Sequence, residues 1–589
     1  MSKTDHTGFT PHWIEDAPLP GTYRSLLKWG DPSEFKHPNR GLYRLMKETF
    51  GLLDADFVTP RATGQQAVEL DLPCRLEPRI LQALQDMVGE ENVHADVYRR
   101  IKNAYGKSML DDLRLRRHQI ENLPDAVVCP RSQADVEKLV AFCDAEKIPL
   151  YVFGAGSSVT RGTEAVLGGI TLDMSVYMKR VLAFNETDQT ITVEAGMTGP
   201  QLEDLLQHAT TTLNARQNYT CGHFPQSFEF SSVGGWVVTR GAGQNSTYYG
   251  KIEDLVLAQE YVTPIGVLKT PGFPRKATGP DMDQMMLGSE GAFGVLTSVT
   301  LKLHRYMPQN RRYFAYMFKT WDEALATVRE VMQCEGGLPS VFRLSDPEET
   351  EVAMHMYGMA GTPADSVFKT LGYLPMQRCL VLGTADGEKG YARRVGRLVR
   401  QTARRFHAFD LSPFGVVQQW ESSRFRDPYL REDLHDFGIC LDTLECAVTW
   451  SQLNEVHQQV RQVIKQRPGT ICMTHCSHFY PQGTNLYFIF IAHMETIDQY
   501  VDLQHSILEA IRKSGGAMSH HHGIGKQTAP WFVQQAGPVN MAVLRSLKDC
   551  FDPNGILNPG GTLGLDRRDV EQNAAPYQQT CETMNVTLE

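Results

Sequence analysis

The chain has few of the features that mark secreted, membrane-spanning or nucleic-acid-binding proteins. Its 589 residues include only 12 cysteines and no secretory leader, which favours free thiols in a reducing compartment over a disulfide framework. The most apolar stretches, such as LYFIFIAHM from Leu486, run to about nine residues, whereas a membrane-spanning helix needs roughly twenty. A net charge of −10 with scattered lysine and arginine gives no basic surface for nucleic acid. We therefore predict a cytoplasmic protein without nucleic-acid partners.

Neither end of the sequence shows a sorting or lipidation signal, although peripheral contact with a membrane stays compatible with the composition.

The length predicts two or three domains. We place an N-terminal helical extension at residues 1–120 and an α+β domain at 121–304, because a strand-helix-strand unit there is followed by alternating β-branched strands. Residues 305–500 predict a second, α/β domain, and residues 501–589 a C-terminal segment.

Three glycine-rich segments of the predicted α+β domain indicate an extended ligand. YVFGAGSSVTRG places Gly154 and Gly156 before Ser157 and Ser158, directly after an apolar strand, where backbone N–H groups can face an anion. It matches neither the dinucleotide fingerprint nor a P-loop, and a plain tight turn is the alternative. The other two segments are HFPQSFEFSSVGGWVVTRGAGQNSTYYG and MMLGSEGAFGVLT, the second centred on Glu290.

The segment GGAMSHHHGIGK carries three consecutive histidines, His520, His521 and His522. The plain interpretation is a polar turn after a helix that ends at Lys513. In an extended chain His520 and His522 share one face and His521 takes the other, so at least two roles are required. A metal site would recruit His475, Cys476 and His478, but these lack a recognised zinc spacing, and we predict no metal.

The order of the glycine segments resembles the FAD-binding flavoproteins of the vanillyl-alcohol oxidase and p-cresol methylhydroxylase type. The resemblance implies an α+β fold with a two-subdomain FAD-binding domain, an α/β cap domain and the N-terminal extension, with the C-terminal segment returning to the FAD domain. No His or Cys lies in the pyrophosphate loop, so non-covalent FAD is expected. The implied FAD-binding residues are Pro130, Gly154, Ala155, Gly156, Ser157, Ser158, Ser227, Ser232, Gly234, Gly235, Thr239, Gly241, Ala242, Gly243, Glu290, Gly294 and Val295.

Within that family, SFEFSSVGGWVVTRGAG, ATGPDMDQMMLGSEGAFGVLT and the histidine segment resemble the alkyldihydroxyacetonephosphate synthases. This resemblance implies exchange of the acyl group of acyl-dihydroxyacetone phosphate for a fatty alcohol in ether-lipid synthesis. Flavin N5 would act as an electrophile, without net oxidation. A homodimer with lipid access near a membrane surface is also implied.

The resemblance also implies the roles of individual side chains. The catalytic set is His520, His521, His522, Tyr487 and Arg431, and the substrate-binding set is Arg343, His475, His478 and Glu445. By default a tyrosine on a strand packs, and an arginine is solvated or ion-paired.

Departures from the synthase pattern concern the substrate side. THCSHFY has His475 where the synthases typically carry arginine, and it adds His478, while DTLECAVTW keeps only part of the pattern around Glu445. The peroxisomal targeting element of animal synthases is absent. Two alternatives therefore stay open: an FAD-linked oxidase or dehydrogenase of a hydroxy acid or alcohol, and a flavin-binding protein without turnover.

Overall fold

The structure, a computed structural model, describes residues 9–566, so most of both chain ends searched for targeting signals lies outside the described residues. The helices are α1 (Tyr23–Leu27), α2 (Arg40–Phe50), α3 (Pro78–Val88), α4 (Val97–Lys102), α5 (Met109–Arg116), α6 (Gln133–Glu146), α7 (Gly199–Gln207), α8 (Ala209–Thr212), α9 (Val233–Val238), α10 (Ser246–Tyr249), α11 (Ile252–Leu255), α12 (Met282–Met286), α13 (Trp321–Gln333), α14 (Pro347–Met356), α15 (Pro363–Thr370), α16 (Lys389–Arg405), α17 (Val416–Ser423), α18 (Leu430–Asp436), α19 (Leu453–Gln466), α20 (Ile497–Ser514) and α21 (Ala529–Phe551).

The strands lie in four sheets of four, five, two and seven strands. They are β1 (Val93–His94), β2 (Ala126–Val128), β3 (Leu150–Phe153), β4 (Ile170–Asp173), β5 (Val181–Asn185), β6 (Thr190–Glu194), β7 (Tyr219–Thr220), β8 (Val256–Thr263), β9 (Gly266–Lys269), β10 (Val295–Lys302), β11 (His304–Arg305), β12 (Arg312–Phe318), β13 (Val341–Ser345), β14 (Cys379–Ala385), β15 (Phe409–Asp410), β16 (Ile439–Thr449), β17 (Thr470–Tyr480) and β18 (Gly483–His493).

The first lobe consists of the four-stranded and five-stranded sheets. In the first of these, β2, β4 and β3 run parallel and α6 connects β2 to β3, as the strand-helix-strand pattern predicts. Ser132 starts α6 by accepting a hydrogen bond from the Asp135 N–H. The loop that begins at Gly154 therefore leaves the carboxyl end of β3 at the edge of a parallel sheet, where α/β sheets commonly bind ligands.

The five-stranded sheet is antiparallel, in the order β5-β6-β10-β8-β9, and carries the other two glycine segments. Helix α9 begins after Ser232, whose side chain accepts a hydrogen bond from the Gly235 N–H. The two sheets share one apolar cluster, in which Val262 and Val295 pack with Val128. Their edges therefore meet where the glycine segments lie.

The second lobe is an antiparallel sheet in the order β15-β12-β14-β13-β17-β18-β16. Side chains alternate between its two faces with the two-residue period of a strand. On β18, Leu486 and Phe488 pack into the core formed with α13, α16, α19 and α20. Tyr487 and Ile489 take the opposite face and line a cavity. These four helices cover one face of the sheet, and helices α14, α15, α17 and α18 stand over the other face and enclose the cavity against it.

The two ends of the described chain tie the lobes together. At the N-terminal end, Arg24 of α1 donates to Asp436 of α18 at 2.6 Å, and Lys28, which follows α1, pairs with Glu432 of α18 at 2.9 Å. After α20 and α21 the chain returns to the first lobe, where the Asn558 N–H donates to the Leu150 carbonyl at the edge of β3. No helix within residues 9–566 combines the length and apolarity needed to cross a bilayer.

Candidate active site

A cavity of about 930 Å³ lies between the glycine segments of the first lobe and the Tyr487 face of the second-lobe sheet. Most of the residues implied for FAD line it: Gly154, Ala155, Gly156, Ser157, Ser158, Ser227, Ser232, Gly234, Gly235, Thr239, Gly241, Ala242, Glu290 and Gly294. Pro130, Gly243 and Val295 do not line it. Val295 begins β10 with its side chain in an apolar cluster, and a side chain on Gly243 would meet the backbone of Phe224.

The loop after β3 has the properties of an anion-binding cradle. The backbone N–H groups of four consecutive residues, Ala155 to Ser158, have no hydrogen-bond acceptor within residues 9–566. Unpaired N–H groups that line a cavity are costly unless a ligand or water accepts from them. The opposite wall is Gly234, where a Cβ would stand 2.7 Å from Ala195 Cβ and 2.8 Å from its carbonyl oxygen. These groups fit a large ligand that carries a pyrophosphate.

The histidines lie on a turn of residues 519–525, here called the triplet turn, which covers Glu445 of β16. One oxygen of Glu445, Oε1, accepts from the Ser519 hydroxyl at 2.7 Å and from the N–H groups of all three histidines at 3.0 Å. The second oxygen accepts from the His520 N–H at 2.7 Å. The extended-chain arrangement is therefore wrong: the bent turn directs His521 and His522 into the cavity and His520 away from it.

A second carboxyl group, that of the half-buried Glu290, holds the other half of the triplet turn. Glu290 accepts from the Ile524 and Gly525 N–H groups, both at 2.6 Å. Burial raises the pKa of Glu290 to about 7. Glu290 comes from the loop before β10 and Glu445 from the second-lobe sheet, so the turn is fixed to both lobes at once.

Burial favours the neutral form of the imidazoles in the triplet turn. Burial, reinforced by neighbouring cationic and imidazole groups, holds the pKa of His520 and of His521 well below the ordinary histidine value. Burial also lowers the pKa of His522, against the opposing effect of Glu445 and Asp442. Neutral imidazole offers an unprotonated nitrogen at neutral pH, which a proton acceptor needs.

Three further predicted residues meet on the cavity face of the second-lobe sheet. Arg343 of β13 donates to Glu349, whose other oxygen lies 3.2 Å from His475 Nδ1. The His475 ring stacks on Tyr487, with centroids 4.9 Å apart. Tyr487 donates to the Thr443 hydroxyl at 3.0 Å, and burial raises its pKa to about 12. This cluster faces His521 and His522 across Tyr487.

His478 reaches the same cavity through a bulge. The register of β17 against β18 shifts between Ser477 and Tyr480, and His478 takes a φ of 54°. Its Nδ1 lies 2.8 Å from the Ser246 hydroxyl, and burial lowers its pKa to about 3. The bulge brings His478 within 5.2 Å of His520, measured between ring centroids.

Arg431 lines the cavity from α18, where it is buried. Its guanidinium donates to the Lys107 carbonyl at 2.9 Å and lies over the Trp29 ring at 5.6 Å. No carboxylate of residues 9–566 is within ion-pair distance of it, so its charge is available to an anionic ligand. Arg343, by contrast, forms an ion pair with Glu349.

The metal interpretation from sequence does not hold together, because Cys476 packs into the core on the opposite face of β17 from His475. A different group, Glu445, His520 and His521, places ligand atoms within 4.8 Å of one another. Both Glu445 oxygens already accept backbone N–H groups, and the Lys251 ammonium donates to the His520 carbonyl at 2.7 Å. The group therefore fits a hydrogen-bonded cluster rather than a cation site.

The structure thus brings most predicted site residues to one cavity, with two exceptions besides the FAD contacts named above. Glu445 lies under the triplet turn and His520 behind it, so both act through their neighbours.

Sequence reasoning missed Glu349 and Tyr480. In the sequence, Glu349 is the third residue of a helix that Asp346 caps, and its N–H donates to the Asp346 side chain at 2.8 Å. Its contacts with Arg343 and His475 depend on the pairing of β13 with β17, which the sequence does not show.

The fold and the cradle define an FAD-binding flavoprotein. Residues 124–270 match the family model "FAD binding domain" and residues 307–562 match "FAD linked oxidases, C-terminal domain". A p-cresol methylhydroxylase structure superposes with a TM-score of 0.63 at 16% identity over 84% of this chain and 99% of that one, which shows the fold alone. The predicted fold class and FAD as cofactor are confirmed.

Two curated relatives and one solved structure show what the chain is similar to. The alkyldihydroxyacetonephosphate synthase of Dictyostelium discoideum is 30% identical over 89% of this chain and 87% of its own. The uncharacterized FAD-linked oxidoreductase YgcU of Escherichia coli K12 is 30% identical over 83% of this chain and 99% of its own. A structure of an alkyldihydroxyacetonephosphate synthase superposes with a TM-score of 0.76 at 26% identity over 91% and 98% of the two chains. The chain belongs to the alkyldihydroxyacetonephosphate synthase family of FAD-dependent enzymes.

The close packing at Gly234 leads to a test of the cradle. Gly234→Ala is expected to weaken FAD binding by about 10-fold to 100-fold, because the backbone of this cavity wall must shift to separate the added methyl group from Ala195, at a cost of about 1–3 kcal/mol. The flavin absorbance per protein after gel filtration measures this. Gly272→Ala is the control, since its Cβ would meet only Ala258 at 3.8 Å. Equal flavin content in the two variants would contradict the assignment.

Proposed function

We propose that the protein exchanges the acyl group of an acyl-dihydroxyacetone phosphate for a fatty alcohol, with FAD bound non-covalently. The observation that carries this proposal is the continuity of one cavity. It joins the N–H cradle, the neutral imidazoles and an apolar compartment of the second lobe, lined by Met317, Val352, Met354, Phe368, Leu382 and Leu411. A long alkyl chain fits such a compartment, because burial of each CH₂ contributes about 0.8 kcal/mol.

Each group of residues that lines the cavity has a separate role in the proposed reaction. The backbone N–H groups of Ala155 to Ser158 would hold the FAD pyrophosphate, and Gly234 would line the opposite wall. Bound FAD supplies an electrophilic ring, which permits exchange without net oxidation. His521 presents an imidazole to the cavity as the base that takes a proton from the substrate carbon next to the carbonyl. Arg431, which has no carboxylate partner in the part of the chain that the structure describes, would attract the phosphate.

A direct assay tests the proposal. The purified yellow protein, given acyl-dihydroxyacetone phosphate and labelled hexadecanol, is expected to form labelled alkyl-dihydroxyacetone phosphate and free fatty acid. No oxygen or artificial electron acceptor should be consumed. Boiled protein and protein stripped of FAD serve as controls. Failure to form the alkyl product with FAD present in full amount would reject the proposal.

A second candidate is an FAD-linked oxidase or dehydrogenase of a hydroxy acid or alcohol. The specific observation in its favour is His475, which stands where the synthase pattern has a permanent cation. Burial lowers its pKa, and its Nδ1 lies against Glu349 instead of facing the cavity as a charge. Bleaching of the flavin by a hydroxy acid under anaerobic conditions, without alkyl product in the first assay, would favour this candidate.

The homodimer, the cytoplasmic location and the peripheral membrane contact rest on composition and on family resemblance alone. They remain part of the proposal. Sedimentation of the purified protein, alone and with phospholipid vesicles, measures the first and the third. A monomer at micromolar concentration, or no vesicle binding, would remove the corresponding part.

A further inference from the structure

His520 connects the cavity to a tyrosine outside it. Its Nδ1 lies 3.1 Å from His521 Nδ1, and its Nε2 lies 2.8 Å from the Tyr480 hydroxyl. His521 lines the cavity, whereas neither His520 nor Tyr480 does. Tyr480 is the last residue of β17 and is partly exposed. Three side chains thus form a continuous hydrogen-bonded path from the cavity wall to the other side of the triplet turn.

The two nitrogens of His521 have different surroundings. Nδ1 is engaged by His520, while Nε2 has no hydrogen-bond partner within residues 9–566. Two Nδ1 atoms at 3.1 Å require that one carries a hydrogen and the other accepts it. If His521 is to accept a proton at Nε2, its own hydrogen must be on Nδ1. His520 then accepts at Nδ1 and donates from Nε2 to the Tyr480 oxygen, so Tyr480 supplies the acceptor that this pair of tautomers needs.

We propose that His520 and Tyr480 form a proton relay that carries the hydrogen taken by His521 out to solvent. A proton leaves the substrate carbon and bonds to His521 Nε2, while the Nδ1 hydrogen of His521 moves to His520 Nδ1. The Nε2 hydrogen of His520 moves to the Tyr480 oxygen, and the original hydroxyl hydrogen of Tyr480 passes to water. One proton has crossed, no electrons have moved, and each of the three side chains ends neutral.

The same path in reverse returns a solvent hydrogen to the carbon and restores the starting tautomers. An exchange reaction needs this return, because the carbon loses a proton before the acyl group leaves and regains one after the alcohol adds. The inference therefore rests on the proposed function. His520 and Tyr480 are positioning and relay residues in this scheme, since neither lines the cavity.

The surroundings of the relay favour transfer without a charged intermediate. The Lys251 ammonium donates to the His520 carbonyl, and the His478 ring stacks on the His520 ring. Both disfavour an imidazolium at His520, in agreement with the lowered pKa of that residue. A stepwise path that rests on His520⁺ is therefore costly, whereas a concerted shift of three hydrogens leaves no charge behind. Glu445 fixes the backbone of both histidines, which keeps the 3.1 Å contact.

The test is hydrogen exchange in heavy water. Wild-type holoenzyme with acyl-dihydroxyacetone phosphate and fatty alcohol in D₂O is expected to put deuterium on the substrate carbon, as measured by mass spectrometry. Tyr480→Phe keeps the ring and removes the hydroxyl, and it should slow both deuterium incorporation and turnover at least about tenfold with FAD bound. Tyr313→Phe is the matched control, because it removes the hydroxyl of a half-buried tyrosine that donates to Glu421, outside the cavity.

A readout without substrate separates this inference from the proposed function. In ¹⁵N-histidine-labelled protein, Tyr480→Phe should change the ring-nitrogen shifts of His521, which Tyr480 does not contact, while Tyr313→Phe should not. Unchanged His521 shifts, or exchange and turnover equal to the control, would overturn the relay. If wild-type protein gives neither product nor deuterium exchange, the proposed function fails, and the relay fails with it as a path for a substrate proton.

Discussion

Replacing His521 with alanine is expected to lower turnover by about 10²-fold to 10⁴-fold while FAD stays bound, the usual contribution of a positioned acid or base. The ring lines the cavity, its Nε2 has no hydrogen-bond partner in the described part of the chain, and the backbone N–H of residue 521 remains held by Glu445 in the variant. The loss should therefore fall on proton transfer rather than on the fold. Single-turnover rates per bound flavin measure it.

Two further variants sharpen this result. His457→Ala removes an imidazole that contacts Asp346 in the second lobe, away from the cavity, and should leave the rate per flavin near wild type. His522→Ala should also abolish most turnover, because this ring lines the cavity at an edge-on angle to Tyr487. Full activity in both His521→Ala and His522→Ala would reject a catalytic role for the triplet.

Local patterns in the sequence predicted most of the architecture. The two-residue alternation in LYFIFIAH identifies a strand with one face in a core, and β18 has Leu486 and Phe488 on that face. The apolar spacing in WDEALATVREVMQ identifies α13, which Thr320 caps. These signals are short-range, because each element displays its own buried side. The order of the strands in a sheet is set by contacts far apart in sequence and is not visible in any one segment.

The site was predicted less completely for the same reason. The glycine loops and the histidine triplet are continuous sequence motifs, so the sequence alone predicts them as site segments. The bent path of the triplet turn depends on a carboxylate 75 residues away, Glu445, which changed the expected directions of the three rings. His478 faces the cavity only because of a bulge, and Glu349 meets His475 only through the pairing of β13 with β17. Long-range contacts of this kind carry no local signature.

Glu445→Ala is expected to cost both stability and turnover. The substitution leaves the Ser519 hydroxyl and the N–H groups of His520 and His521 without their acceptor in a partly buried turn, whereas the His522 N–H keeps the Ser519 hydroxyl at 3.1 Å. Each buried unsatisfied group costs about 1–3 kcal/mol, and relaxation of the turn recovers part of it. We expect the free energy of unfolding to fall by about 2–4 kcal/mol. Turnover per flavin should fall by about 10²-fold or more, because displaced imidazoles lose their alignment.

Glu445→Gln separates the hydrogen bonds from the charge. The carbonyl oxygen of the glutamine can replace Oε1, which accepts four of the five hydrogen bonds. The amide NH₂ group replaces the second oxygen, so one hydrogen bond is lost because two donors, this group and the His520 N–H, face each other. An intermediate loss in stability and rate is expected, as measured by denaturant unfolding and single-turnover kinetics.

Glu203 offers the matched control for Glu445. Its buried carboxylate also accepts backbone N–H groups, from Cys221 and Gly222, but it lies in the first lobe and does not line the cavity. Glu203→Ala should therefore lose comparable stability while keeping its rate per bound flavin. If Glu445→Ala and Glu203→Ala show the same loss of stability and the same rate, Glu445 supports the fold only. A rate loss confined to the Glu445 variants would establish that this carboxylate aligns the histidines for proton transfer.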